Sequence, residues 1–409
     1  MSWKNRNGDH GGRGPLSGVR VLDFTHVISG PYCAMMLADM GADVVKVERR
    51  EVGDDLRTVG RYPGRRPVDE DYFYMMNRRK RSIALDLKDP DDRAIAVELA
   101  EQADVVLQNF APGTAERLGI GPEQLRTDNP KLVYCAISGF GQTGPLRDRL
   151  ALDPIIQSMS GVMSVTGDPD GQPLQIGAPI ADVVAGMFGA YSIVSALLQV
   201  ERGGEGAFID VSMLESMIAV LGPRMGEALQ AHHQPPRHGN ENPMRVPAGL
   251  FECGDGQRLN FIVQNQAYWA PFCRALDREE WIEDPRFDSM VARVENRDAI
   301  NALVRARLRN EPAAVWMERL LAHRVPCGPY YDYLAALNDE HVRQRGLVLD
   351  VEHPVSGAIE LVGPPWSSTL DEPPLTPPPL LDEHADDVVA DWLGRSQTNL
   401  ADIAEAHQR

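Results

Sequence analysis

The sequence predicts an α/β fold: a parallel sheet flanked by helices in one large domain, with a second, smaller domain after it. Two observations carry this prediction. From residue 19 to about 220, short apolar strands alternate with helical apolar patterns, which is how linked βαβ units read. The rhythm then breaks at HHQPPRHGNENPMRVP (232–247), a Pro-, His- and Asn-rich stretch that marks a linker or exposed loop. The chain of 409 residues is also long for a single core, so two domains are expected.

In chain order, VRVLDF (19–24) is a strand, PYCAMMLADMGA (31–42) a helix and DVVKVE (43–48) a strand. Pro31 sits in the first turn of that helix and Gly41 near its end. Such a unit implies a parallel pair joined by a right-handed crossover. RSIALDL (81–87), a helix over 90–102 and ADVVLQNF (103–110) repeat it. LVYCAISG (132–139) is a further strand, a helix runs from Asp182 to about residue 200, and FIDVSML (208–214) leads into another helix. In the helix after Asp182, Val183, Val184, Met187, Phe188, Tyr191, Val194, Leu197 and Leu198 recur at steps of three and four and read as its buried face. Beyond the linker come strands GLFEC and RLNFIV and helices near 267–276 and 297–322. The tail has strand-like VLDVEHP and AIELVG, a Pro-rich strap EPPLTPPPLL and a helix near 384–394. The expected division is 14–222, 223–326 and 327–409.

A formal net charge of −18 argues against general nucleic-acid binding and against an anionic membrane surface. The five cysteines, Cys33, Cys135, Cys253, Cys273 and Cys327, are scattered and form no CxxC pair, so reduced, mostly buried thiols in a cytoplasm are expected. The first 18 residues are polar and glycine-rich, a floppy lead-in without the apolar core of a signal peptide. No run of 18 apolar residues occurs, so no membrane span is expected.

Four stretches invite chemistry. In GAPIADVVAGMFGA (177–190) a single acid, Asp182, opens an apolar helix. It reads either as an N-cap or as a carboxylate kept ionised by the helix dipole and able to attack an acyl group. Gly186 and Gly189 each cost about 1 kcal/mol inside a helix, so close packing or a ligand should compensate. GFGQTG (139–144) follows a strand, but Pro145 comes next and no apolar helix opens; a dinucleotide fingerprint needs that helix. A glycine loop beside a substrate is the better reading. Residues 46–81 hold 11 Lys and Arg against 7 Asp and Glu, either a solvated loop or a site for a phosphate-rich small ligand. His232, His233 and His238 lie among Pro and Gln without zinc spacing and read as a solvent loop. No metal-ligand set is expected.

Taken together, VLDFTHVISGPYCAMMLADMGADVVKVER, NRRKRSIALDL, ADVVLQNFAPGTAERLG, SGFGQTGP and GAPIADVVAGMFGA, in that order, resemble the family III coenzyme A transferases. That superfamily includes formyl-CoA, carnitine and succinyl-CoA:dicarboxylate transferases and the 2-methylacyl-CoA racemases. The resemblance covers nearly the whole chain, through GNENP, DPRF and RVPCGPYYDY. It implies a large Rossmann-like domain with a parallel sheet built from both chain ends, a smaller α+β domain between, and a homodimer of interlocked ring-like subunits. It implies a coenzyme A thioester as substrate, with no permanently bound cofactor and no metal. Arg49 and Arg117 would contact the phosphate and ribose end, and Lys88, Asn109 and Phe110 the adenine region. Asp182 falls on the family's nucleophile. Around it, His26, Val27 and Ile28, with Ser138, Gly139, Phe140 and Gly141, would form the substrate pocket.

Three departures from the family's pattern bear on the reading. The racemase branch carries a His directly before the Asp that is Asp153 here; this chain has Leu152, which cannot accept a proton. Formyl-CoA transferases have Gln where Ile28 stands and a glycine run in a mobile loop; none occurs between 237 and 260. Asp382 occupies the place of a usual Gly before Glu383-His384. The expected activity is therefore CoA transfer between two organic acids, with racemase and non-catalytic CoA-binding protein as alternatives.

Overall fold

The structure is a computed structural model; it describes residues 13–59 and 69–395. Residues 1–12 of the expected polar lead-in lie outside the described residues, as do Arg61, Arg65 and Arg66 of the basic segment. The described residues divide into two compact units: those up to 162, with 175–226 and 344–395, form one, and 163–174 with 227–343 the other.

The first unit begins with β1 (Arg20–Asp23), α1 (Ser29–Asp39), β2 (Asp43–Glu48), α2 (Asp71–Asn77), β3 (Lys80–Ala84), α3 (Pro90–Gln102) and β4 (Val105–Gln108). It continues with α4 (Thr114–Arg117), α5 (Pro122–Asp128), β5 (Val133–Ser138) and α6 (Asp153–Ser160); after the short α7 (Val162–Val165), all but the first residue of which belongs to the second unit, come α8 (Ile180–Glu201), β6 (Phe208–Ser212) and α9 (Met213–Val220). The six strands form one sheet in the order β3-β2-β1-β4-β5-β6, and every neighbouring pair is parallel. This is the doubly wound order, in which the strand sequence reverses between β1 and β4. Val21, Leu22, Val105, Val106, Val133 and Tyr134 are fully buried, as expected for strands covered on both faces.

After α10 (Met225–Ala231), the second unit carries an antiparallel sheet of β7 (Ala248–Glu252), β8 (Arg258–Ile262) and β9 (Cys327–Pro329). Its helices are α11 (Trp269–Ala275), α12 (Met290–Glu295), α13 (Arg297–Leu308), α14 (Ala313–Ala322), α15 (Tyr333–Asn338) and α16 (Glu340–Gln344). Composition placed this region at 223–326. The unit extends to Arg343 and takes in 163–174, because β9 is the third strand of its sheet and Gly239 donates to the Gly167 carbonyl. Neither pairing leaves a local signal. His232 and His233 are exposed loop residues.

The chain then returns to the first unit with a hairpin, β10 (Val348–His353) and β11 (Gly357–Val362), and with α17 (Ala385–Leu393). Val388, Val389 and Trp392 of α17 join the core formed by the sheet and α3. Just before this helix, Asp382 adopts φ +62°, a left-handed conformation that Asp tolerates better than most residues. Its carboxylate accepts the Ala84 N–H at 2.7 Å and its own N–H donates to Ser82 Oγ at 3.1 Å. The residue standing in place of glycine thus closes the free edge of β3, the exposed end of the sheet.

Of the residues expected on the buried face of α8, Val184 and Leu197 are buried, but the largest are not. Ala181, Val184, Ala185, Gly186, Gly189, Ala190, Ile193 and Leu197 are buried, whereas Met187, Phe188, Leu198 and, at 72%, Tyr191 are exposed. The two glycines explain this. A Cβ on Gly186 would lie 2.6 Å from the Ser29 carbonyl oxygen, and one on Gly189 would lie 3.1 Å from Cys33 Sγ and 3.2 Å from Ile137 Cδ1. The small side of α8 lies against α1 and β5, and the bulky apolar side is left outward. α8 is long and apolar enough to cross a membrane by length and composition alone, a test that core helices also pass; in this fold its small-residue face is packed against protein.

Adding a methyl group at this contact should destabilise the fold. Gly186→Ala is expected to cost about 1–3 kcal/mol through overpacking against backbone. At Gly226 of α10 a Cβ would meet nothing within 4 Å, and Gly226→Ala should be neutral or stabilising by up to about 1 kcal/mol. Urea midpoints of the two variants test this; equal effects would contradict the close-approach argument.

Candidate active site

In a doubly wound sheet, the crevice beyond the carboxyl ends of the strands where the order reverses is the natural binding place. Here that is the segment after β1, Thr25 to Ile28, beside Asn109 and Phe110 after β4. The two are joined directly. Asn109 accepts the His26 N–H at 2.9 Å and returns a bond from Nδ2 to the His26 carbonyl at 2.8 Å. The His26 and Phe110 rings stand 6.2 Å apart.

The turn is strained. Val27 has φ +67°, the left-handed region, where a β-branched residue is a true outlier at a cost of order 1–3 kcal/mol. What holds it is a set of buried charges. Val27 N–H donates to both Asp54 oxygens, at 3.1 and 3.3 Å. Lys46 Nζ pairs with Asp54 at 2.8 Å and donates to the Thr25 carbonyl at 2.6 Å. Lys80 Nζ donates to Asp23, Asn77 and the Pro31 carbonyl, and Asp23 in turn accepts the Thr25 N–H and hydroxyl. Asp23, Lys46 and Asp54 are fully buried. Burial alone would raise the Asp54 pKa, but the charges of Lys46 and His26 overcome it and hold the carboxyl down to about 2. Burial, seconded by Lys46, lowers the His26 pKa despite Asp54.

Asp182 enters from α8. Its helix starts at Ile180 with Pro179 in the cap position and no side-chain cap, so Asp182 does not cap its own helix. Asp153 at the start of α6 does that work: its Oδ2 accepts the Ala181 N–H at 2.7 Å and lies 3.4 Å from the Asp182 nitrogen. Gln157 Nε2 holds the other oxygen of Asp153 at 2.6 Å. The Asp182 carboxylate instead faces Ser29 at the first turn of α1, whose hydroxyl and backbone N–H both favour its charge. Asn109 Nδ2 reaches the Ser29 hydroxyl at 3.4 Å, which ties Asp182, Ser29, Asn109 and His26 into one cluster. Desolvation, then repulsion from Asp153, pushes the Asp182 pKa up to about 6. The expected dipole-held low value is therefore reversed: burial beside a like charge outweighs the helix terminus. Among the described residues Asp182 has no ion-pair partner.

The other expected residues fall in different surroundings. Gly141 turns at φ +86°, and the adjoining Gln142 N–H is taken by both oxygens of Asp210, at 3.0 and 2.9 Å. A carboxylate thus occupies the donor a phosphate would use. Gly139 is backed by Ala151, which a Cβ would meet at 2.1 Å. Ser138 Oγ is buried without a partner, and Phe140 lies under Arg149 at 5.9 Å. Among the described residues no hydrogen bond joins Ser138–Gly141 to Asp182. Arg49 follows β2, Lys88 follows β3 and Arg117 ends α4, all past the carboxyl ends of the strands. Lys88 and Arg117 are exposed; Arg117 bonds Thr114 Oγ1, and Arg49 is engaged by Asp55 and the Gly53 carbonyl.

Much of the basic segment is not free to meet a ligand. Arg57 pairs with Glu48 and Asp69, Arg78 and Arg79 with Asp39, and Arg81 with Asp43 and Asp391. Their partners lie up to 310 residues away, so a local charge count could not find them. Asp54 and Ser29 also escaped the sequence reading: Asp54 is one acid in a charged loop, and nothing local links Ser29 to residue 182.

With this geometry in place, comparison with known proteins is informative. The profile of the family described as CoA-transferase family III matches residues 16–385. The chain belongs to that family. It is 39% identical over 374 residues to the acetyl-CoA:oxalate CoA-transferase of Acetobacter aceti, covering 91% of this chain and 94% of the relative. It is 36% identical over 380 residues to the succinyl-CoA:glutarate CoA-transferase of Mus musculus, covering 93% and 86%. The crystal structure of a CaiB/BaiF family protein from Brucella suis superposes with a TM-score of 0.84 at 33% identity, over 93% of this chain and 100% of that one. This family III protein is thus an enzyme of the CoA-transferase type.

The raised pKa has a stability consequence. Because folding lifts the Asp182 carboxyl from 3.8 to about 6, its ionisation opposes folding. That cost is absent below the unfolded value and fully present above the folded one. Asp182→Asn is therefore expected to be more stable than wild type at pH 8, by roughly 1–3 kcal/mol after allowance for partial exposure, and equal to it near pH 4. Denaturation at the two pH values checks the sign; a variant less stable at pH 8 would refute it.

Proposed function

We propose that the enzyme moves coenzyme A from an acyl-CoA thioester to a free carboxylic acid through covalent intermediates on Asp182. The observation that carries this reading is the carboxylate itself: half-buried, beside Asp153, without a counter-ion among the described residues, at the crevice end of the sheet. Such an arrangement opposes stability and is the kind kept for chemistry.

An Asp182 oxygen attacks the thioester carbonyl carbon, the C–S bond breaks, and a mixed anhydride and CoA thiolate result. The thiolate attacks the aspartyl carbonyl carbon, the anhydride C–O bond breaks, and the donor acid leaves as its carboxylate. The acceptor carboxylate then attacks the aspartyl-CoA thioester, expelling thiolate, which attacks the acceptor's acyl carbon and regenerates Asp182. No proton is gained or lost overall, and thioester energy is retained throughout. Each tetrahedral oxyanion needs donors, for which the backbone around His26–Ile28 and Gly139–Gly141 is available in this reading. Arg49, Lys88, Asn109, Phe110 and Arg117, beyond the carboxyl ends of the strands, would carry the nucleotide end of CoA. The relatives' names pair CoA with succinate, glutarate and oxalate, and we extend the reading to a short dicarboxylic acid as one substrate. The outward apolar face of α8 offers a surface for the homodimer that the family resemblance implies; that its subunits interlock rests on the resemblance alone. Leu152 is 72% exposed and offers no second acid–base group for racemisation.

Incubation with succinyl-CoA or acetyl-CoA, trapping with hydroxylamine and peptide mass spectrometry should place an adduct on the peptide carrying Asp182, absent in Asp182→Ala. No adduct with any short acyl-CoA, together with intact turnover by Asp182→Ala, would exclude the mechanism. Since only the carboxylate attacks, the transfer rate should fall tenfold per pH unit below about 6 and level off above it. Asp153→Asn, which removes the like charge, should move this limb to lower pH; a limb that stays in place or moves up would contradict the assignment.

A further inference from the structure

We infer that Asp54 is a positioning residue for catalysis: through its bonds to Val27 N–H it clamps the turn from His26 to Ile28 in its left-handed form and so sets Ser29 against the reacting carboxylate of Asp182. This rests on the reading of Asp182 as nucleophile.

The case is geometric. Left to itself, Val27 would leave φ +67° for the extended region that β-branched residues prefer. Neither neighbour is glycine, so nothing in the local chain favours the turn. The restraints come from elsewhere. Asn109 holds the His26 N–H and C=O, and Asp54 holds the Val27 N–H with both oxygens. Asp54 is itself immobile. It accepts the Leu56 N–H at 2.9 Å, pairs with Lys46 at 2.8 Å, and its own N–H bonds Glu48 Oε2 at 3.0 Å. Two residues after Val27 comes Ser29, the residue that faces Asp182 and whose carbonyl meets α8 at Gly186. A relaxed Val27 would redirect the chain into Ser29 and shift the hydroxyl and N–H that favour the charge of Asp182. Strain of this kind persists where the surroundings over-determine it. The same loop ties Asp54 to Arg49, since Gly53 donates to the Arg49 carbonyl and Arg49 Nε to the Gly53 carbonyl. A purely structural charge could have paired with Lys46 without contacting Val27.

The test compares wild type, Asp54→Asn and the double variant Asp54→Asn with Val27→Gly, reading kcat, KM for acyl-CoA and the rate of adduct formation on Asp182. Asp54→Asn should lower kcat and the adduct rate by roughly 10–100-fold, the effect of a misplacement of about 1 Å, with KM changed by less than about threefold. Glycine takes a positive φ without a Cβ penalty, so adding Val27→Gly should restore kcat by about threefold or more. An Asp54→Asn enzyme with a lower melting temperature but unchanged kcat per folded site, or a double variant with no rescue, overturns the inference. No adduct in wild type would instead remove the Asp182 reading on which it stands. If Asp54→Asn does not fold, Val27→Pro, which sets φ near −65° and removes the N–H but leaves the Asp54–Lys46 pair, takes its place. Retention of more than about a third of kcat by that variant overturns the inference equally.

Discussion

The pairing of Lys46 with Asp54, both without solvent contact, is the constraint on which the site depends. Isolated, either charge would be forced toward neutrality by the interior. Together, with Asp23, Glu48 and the Thr25 carbonyl around them, both stay ionised: the Asp54 pKa is held down, and that of Lys46 is raised although burial opposes it. Buried pairs of this kind contribute little net stability, yet leaving one partner alone costs several kcal/mol. Their value here is geometric. Lys46 lies in β2 and draws the Thr25 carbonyl inward, while Asp54 draws the Val27 N–H, so the chain leaving β1 follows a path that Val27 disfavours.

The second constraint is the contact of α8 with α1. Gly186 and Gly189 bring the helices close enough that Asp182, one turn before Gly186, reaches the first turn of α1. Its environment then follows from placement. Desolvation and the nearby Asp153 raise its pKa, and Ser29 moderates the rise. A carboxylate with a pKa near 6 is more basic than a free one and still ionised at neutral pH, which suits a nucleophile. Asp153 joins the two effects: it supplies the missing cap of α8 and the charge that perturbs Asp182.

Sequence reasoning succeeded where information is local. The βαβ units were legible because apolar runs of strand length alternate with helices, and each strand of the parallel sheet overlaps a predicted run, β3 starting one residue before its run. Gly186 and Gly189 pointed to a close approach because glycine in a helix is costly. Reasoning failed where a residue's partner is remote. The basic segment 46–81 read as a solvated loop or a phosphate site, but Arg78, Arg79, Lys80 and Arg81 within it are neutralised by Asp39, Asp23, Asp43 and Asp391. The bulky side of α8 read as its buried face because apolar pattern gives no direction when small residues occupy the other side. One of the two readings of Asp182 made it a cap because a helix starts near it, whereas the cap comes from Asp153, which takes the N–H of Ala181 28 residues on.

The sequence by itself determined the fold class, the family motifs and the acid at the start of an apolar helix on which the proposed chemistry centres, since each is written in neighbouring residues. The tertiary structure alone decided which face of α8 is inward, which charges are spent internally, and that Val27 is held left-handed by Asp54. Those depend on groups that meet only when the sheet is assembled, and in a low-dielectric interior it is such contacts, rather than residue type, that set the charge state and position of a catalytic group.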